Sequence, residues 1–148
     1  MKNELTILNQ MQAVIQKYLN DHLLDGVPKI DEKSVSLDFP DTDLMARSTM
    51  FYIIPNWANY EALSTESDSS TFNLAIFILC KKDKQEALTK KIYGYFNALY
   101  SLLRTNISLD GYVDFTDVTE AEFYPAVEGN KNVQGVEVSV SIRYTKDF

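Results

Sequence analysis

Cysteine, histidine, glycine and cations are all scarce in this chain, and each scarcity removes a class of chemistry. Cys80 is the only cysteine, so no intramolecular disulfide can form and a reducing compartment is expected. His22 is the only histidine. One histidine and one cysteine cannot assemble a structural zinc site from the usual ligands. The five glycines are scattered, and none falls in a phosphate-cradling G-x-G-x-x-G or G-x-x-x-x-G-K-[ST] loop. No G-x-S-x-G elbow presents a nucleophilic serine. Lysine and arginine total 14 against 21 acids, a net charge of −7 with a pI near 4.6. That balance argues against nucleic-acid binding, which needs a basic stripe to displace counterions from phosphates. It argues equally against an anionic membrane surface. The longest apolar run, Leu74 to Cys80, is far too short to span a bilayer. Met1 starts a polar amphipathic stretch, so no secretory leader is expected.

What is present suits a folded core. The 148 residues are 45% apolar and 24% charged, which points to one domain over 1–148. Leu5, Leu8, Met11, Val14, Ile15, Tyr18 and Leu19 fall at helical spacing. Asn3 can cap that helix, and Asp25-Gly26 followed by Pro28 stops it. Val35, Leu37 and Phe39 alternate with polar residues between Ile30 and Pro40, which predicts a half-buried strand. Met50 to Ile54 is continuously apolar and stopped by Pro55, the pattern of a covered strand. Asn56 to Ser70 is polar and serine-rich, which predicts a mobile loop. Phe72 to Cys80 is apolar at both parities, so a central strand is expected. Asp83 can cap a second helix, Lys84 to Arg104, with Glu86 completing a capping box. Gly94 interrupts its middle, which predicts that a strand side chain or the other helix packs closely there. The apolar phase slips within Tyr112 to Tyr124, which predicts a strand with a bulge near Asp117. Pro125 to Asn132 is then a hairpin loop. Val136, Val138, Val140, Ile142 and Tyr144 alternate without a fault, and with few interior charges this last strand reads as a sheet edge open to another subunit.

The candidates for chemistry each have a plainer reading. His22 ends the first helix, where an imidazole favours the C-terminal dipole. Cys80 lies near Lys81, Lys82 and a helix start, features that activate thiols, but a buried core thiol is the better reading. Carboxylates cluster at Asp38/Asp41/Asp43, at Asp110/Asp114/Asp117 and at Glu120/Glu122. Paired acids can hydrolyse glycosides or hold calcium, yet alternate acids on a strand more simply form its solvated face. No catalytic, cofactor-binding or metal-ligating residue is assigned. Trp57 and Tyr60 open the polar stretch and are candidates for a partner-contact loop, or for capping the end of the sheet. Tyr93, Tyr95 and Tyr100 cannot all face one core from one helix, so at least one should lie at a surface.

The predicted order is helix, strand, strand, long loop, strand, long helix and two strands. It is an α+β arrangement with a mostly antiparallel sheet of about five strands backed by two helices. With Phe72-Asn73-Leu74-Ala75-Ile76-Phe77-Ile78, Leu109-Asp110-Gly111-Tyr112-Val113, Phe123-Tyr124 and Gly135-Val136-Glu137-Val138-Ser139-Val140, it resembles the tail terminator and tail-completion proteins of long-tailed bacteriophages. The resemblance implies a non-enzymatic virion structural protein without cofactors, assembled in the bacterial host cytoplasm. Family members form a ring, usually a hexamer, at the head-proximal end of the tail. The ring stops tube growth and meets the head connector. The implied partners are therefore copies of the same chain, tail tube and head-connector proteins, without a membrane or sequence-specific nucleic acid. Other roles in view are a head–tail connector, a minor tail component, a small-molecule-binding α+β domain and a bacterial adaptor unrelated to phage.

Overall fold

Helix α1 (Glu4–Tyr18) starts where Asn3 closes a reciprocal cap: its side chain accepts from the Thr6 amide at 2.9 Å, and its own amide donates to Thr6 Oγ1 at 2.9 Å. The computed structural model describes residues 2–148. Ile7, Met11, Val14 and Ile15 form the buried stripe of α1, the face its 3.6-residue period requires. A short 3₁₀ turn (Leu19–His22) extends it, and the chain reverses through Gly26 at φ +90°.

The five-stranded sheet has the order β1-β2-β3-β5-β4. Its strands are β1 (Val35–Ser36), β2 (Thr49–Ala62), β3 (Ser67–Lys81), β4 (Phe115–Tyr124) and β5 (Val133–Asp147). Only β1 and β2 pair in parallel. Helix α2 (Gln85–Thr105) crosses from β3 to β4. Both helices pack on one face, over Phe51, Ile53, Leu74, Ile76, Ile78, Val136, Val138, Val140 and Ile142. The other face is covered only at one end, where Met50, Tyr52 and Leu79 pack with Met45, Ile54, Phe77 and Val127. The α+β class and the central β3 are as expected. No helix among the described residues is long and apolar enough to cross a membrane.

Several sequence expectations are corrected. The strand expected over Ile30 to Pro40 shrinks to two residues. Ser36 Oγ accepts from the Asp38 amide at 3.0 Å and bends the chain away, leaving Phe39 80% exposed. Pro55 does not end β2. A bulge between Pro55 and Trp57 absorbs it, and the strand runs on to Ala62. Asn56 to Ser70 is therefore not a loop: β2 and β3 form one long hairpin whose tip is only 63–66. Asp83 does not cap α2. The cap position is Lys84, without a side-chain bond, while Asp83 Oδ1 accepts from the Lys84 amide at 2.8 Å and Oδ2 meets Lys91 Nζ at 2.6 Å. The bulge expected near Asp117 is present, between Val118 and Glu120. Above all, β5 is not an edge. It pairs with β3 along its whole length and with β4 on the other side. The edge is β4.

Two sites of close or strained backbone are also defined. A Cβ built on Gly94 would lie 2.8 Å from Val27 Cγ2, so the close approach is real. Its source is the segment after α1, not a strand or the helix itself. After α2, Leu109, Asp110 and Gly111 adopt φ of 51°, 62° and 80° in succession. The turn is held by Asn106 Oδ1 accepting from the Asp110 amide at 2.9 Å and by burial of Leu109.

Candidate interaction surface

Neither candidate for covalent or acid–base chemistry is set up for it. Cys80 is buried, and burial pushes its thiol up to about 11, with a weak opposing contact to Thr49 Oγ1 at 3.5 Å. That is the opposite of an activated thiolate. His22 Nδ1 meets Ser101 Oγ at 2.9 Å, tying the end of α1 to α2. The described residues contain no group of three metal-ligating side chains. Glu120 and Glu122 are exposed on β4, the solvated strand face expected of alternating acids.

Trp57 and Tyr60 lie on β2, not on a loop, and each is half exposed. They point to opposite faces. The register pairs Trp57 with Asn73 on the helix-free face, and Tyr60 with Ser70 on the helix side. The Tyr60 hydroxyl donates to Glu4 Oε1. Tyr144 donates to the same carboxylate at 2.9 Å, and Lys146 Nζ lies 3.1 Å from Oε2. Burial raises the Glu4 pKa, but these donors outweigh it and hold the group at about 2. Lys146 also sits 5.0 Å from the Tyr60 ring centroid. The cluster ties the start of α1 to the far ends of β2 and β5.

A second aromatic group is not evident as a site from sequence. On α2, Tyr93, Phe96 and Tyr100 form an outward stripe beside β4. Tyr93 stacks on Phe123 at 4.7 Å, with the ring planes 20° apart. Phe96 meets Phe123 edge-on at 5.4 Å and Tyr100 at 6.2 Å. Tyr93, Tyr100 and Phe123 remain exposed although each packs on a ring of this group. The available signal is the surplus of tyrosines on α2, of which only Tyr95 is buried. Its ring meets Phe51 edge-on, and its hydroxyl donates to the Pro28 carbonyl at 2.7 Å.

This stripe borders the unpaired edge of β4. On the helix side β4 presents Val118, Ala121 and Phe123, opposite Val140, Val138 and Val136. On the other face it presents Asp117, Glu120 and Glu122, opposite Ser141, Ser139 and Glu137. Glu122 and Glu137 are thus a like-charged cross-strand pair, which costs a few tenths of a kcal/mol without a counter-charge. No ion pair among the described residues engages any of these acids. Their field is felt locally: burial, with Glu122 and Glu137 alongside, pushes the Tyr124 hydroxyl up to about 12. A further recess of about 260 Å³, lined by Phe39, Phe77, Leu79, Tyr124 and Val127, lies at the covered end of the helix-free face.

The fold and this surface define a two-helix, five-stranded α+β protein with an open aromatic and acidic edge. No protein-family model matches the chain, and no curated protein matches it in sequence. Solved structures do match. One is a chain from the "Virion of native gene transfer agent (GTA) particle", with a TM-score of 0.51 and 9% identity, covering 92% of this chain and 90% of that one. At that identity the likeness is one of fold.

Proposed function

We propose that the protein is a structural component of a phage-like virion, working by assembly rather than catalysis. The observation that carries this reading is the fold likeness to the gene transfer agent virion chain, which spans nearly all of both chains. Within that class we place it as a tail terminator or tail-completion protein, a ring at the head-proximal end of a tail that joins tail tube to head connector. The residues 1–148 act as one unit. A sheet with two dissimilar outer edges suits head-to-tail contacts, which close into rings. Trp57 and Tyr60 on β2, the hairpin tip 63–66 and the Pro125–Asn132 turn are the surfaces offered to neighbours and partners. The acidic balance suits a channel through which DNA slides without sticking. Assembly takes place in the host cytoplasm, and the product resides in the virion.

The same likeness equally supports a neighbouring connector or minor tail position, so the test must separate them. Light scattering over a concentration series, with negative-stain imaging, should show a discrete ring alone or on addition of tail tube protein. Capping of tube ends that halts their growth would support the terminator position. A monomer at all concentrations that binds neither tube nor connector protein would overturn the assembly reading. Rings that bind connector but ignore tubes would move the protein to the connector side.

A further inference from the structure

We propose that the outer edge of β4 is a docking site for an extended segment of another protein that alternates basic and apolar residues, added to the sheet as a sixth strand. The inference rests on the reading of this protein as an assembly component. It names the chemistry of one partner.

An edge strand exposes unpaired amides and carbonyls along its length, a template for strand addition. In β4 the regular run after the bulge is Glu120–Tyr124. Strand alternation assigns two different demands to the two faces of a docked segment. On the helix-free face its side chains would meet Glu120 and Glu122, with Glu137 one strand further in. On the helix side they would meet Ala121 and Phe123, and the exposed Tyr93 stacked on Phe123. The first set calls for lysine or arginine and the second for aliphatic or aromatic residues.

The charge of the edge is one-sided. From Thr105 to Asn130 the chain carries six carboxylates and no lysine or arginine. The cation that β5 presents on this face, Arg143, lies over the Phe115 ring at 5.8 Å, at the other end of β4. Such an edge repels the β4 edge of a second copy, a device that blocks self-pairing. A basic strand converts the same repulsion into attraction and relieves the Glu122–Glu137 pair. These 148 residues contain no segment that alternates basic and apolar residues, so a second copy of them does not supply the occupant.

The test uses the full chain and three short capped peptides: alternating lysine and valine, the same composition with its lysines blocked at one end, and alternating glutamate and valine. Binding is read by fluorescence anisotropy, and location by amide shifts and hydrogen-exchange protection. The expected result is binding of the alternating basic peptide alone, with new protection confined to β4. Glu120→Lys and Glu122→Lys should each weaken it about tenfold, with circular dichroism unchanged. Leu5→Ala, exposed on α1 and away from this edge, should leave it unchanged. Equal binding of the blocked peptide, protection mapping elsewhere, or no binding would overturn the proposal. So would a self-association of this chain that protects β4 and persists in excess peptide. Ring formation without peptide binding would overturn this inference and leave the assembly reading standing. Peptide binding without any ring or tube contact would do the reverse.

Discussion

Glu4 is the residue at which charge and architecture meet most directly. Its carboxylate receives Tyr60, Tyr144 and Lys146, and its folded pKa lies near 2 against an ordinary 4.5. A depressed acid contributes stability that is fully present above pH 4.5 and is lost as pH falls from there toward 2. The site is partly exposed, so solvent screening reduces the contribution to about 1 kcal/mol. Glu4→Gln should therefore lower stability by about that amount at pH 7. The gap from the parent should close as the pH falls toward 2, read by urea denaturation at stepped pH. A gap that stays constant down to pH 2 would show that the lost packing matters and the charge does not. Cys80 supports a second expectation. With its thiol buried and raised to about 11, labelling by a thiol reagent at pH 8 should be slow and should follow global unfolding. Fast labelling of the native protein would mean that this end of β3 opens locally.

Packing between elements makes Gly94 a test of the 23–31 connection. In a free helix, Gly→Ala gains up to about 1 kcal/mol. Here the new methyl would lie 2.8 Å from Val27 Cγ2, and overpacking of that kind costs about 1–3 kcal/mol. Gly94→Ala should thus be net destabilising in the parent and become stabilising in a Val27→Ala background. A double-mutant cycle in thermal unfolding checks the change of sign, and additive effects would exclude the contact. At the same scale, Gly111→Ala should cost about 1 kcal/mol through its left-handed φ alone, because its surroundings leave space for a methyl. The elements legible in the sequence are those whose pattern reports burial directly. The α1 stripe, the α2 stripe and the buried alternation of β5 all appear where expected. The serine-rich stretch departs from its sequence pattern for a physical reason. Ser69 and Ser70 are poor strand formers alone, but they lie between Glu61 and Tyr60 on one side and Thr145 and Tyr144 on the other, and cross-strand pairing overrides intrinsic preference.

Across the whole molecule, the two faces of the sheet carry different roles. One is closed by α1 and α2, while the other lies open over much of its area and is serine-, threonine- and acid-rich on β4 and β5. Tyr93→Ala combined with Phe123→Ala should abolish partner binding through this edge while costing about 1–2 kcal/mol of stability, since both side chains are partly exposed and lose mainly their mutual stacking. Sedimentation with the partner and denaturation of the isolated variant measure the two effects separately. A variant that unfolds but still binds when folded would make the stripe structural.

Composition and local pattern by themselves determined the α+β class, the acidic surface, the two helices and the buried parity of the long strands. Each of these follows from side chains reporting their own burial at a period of 2 or 3.6. Only the tertiary structure decided which strand lies at the edge. The regular alternation of β5 records one covered face and one open face, and that record is the same for a central strand as for an outer one. Strand order is a matter of long-range pairing, and it set β5 between β3 and β4. It thereby left the acidic, bulged β4 facing outward beside the aromatic stripe of α2.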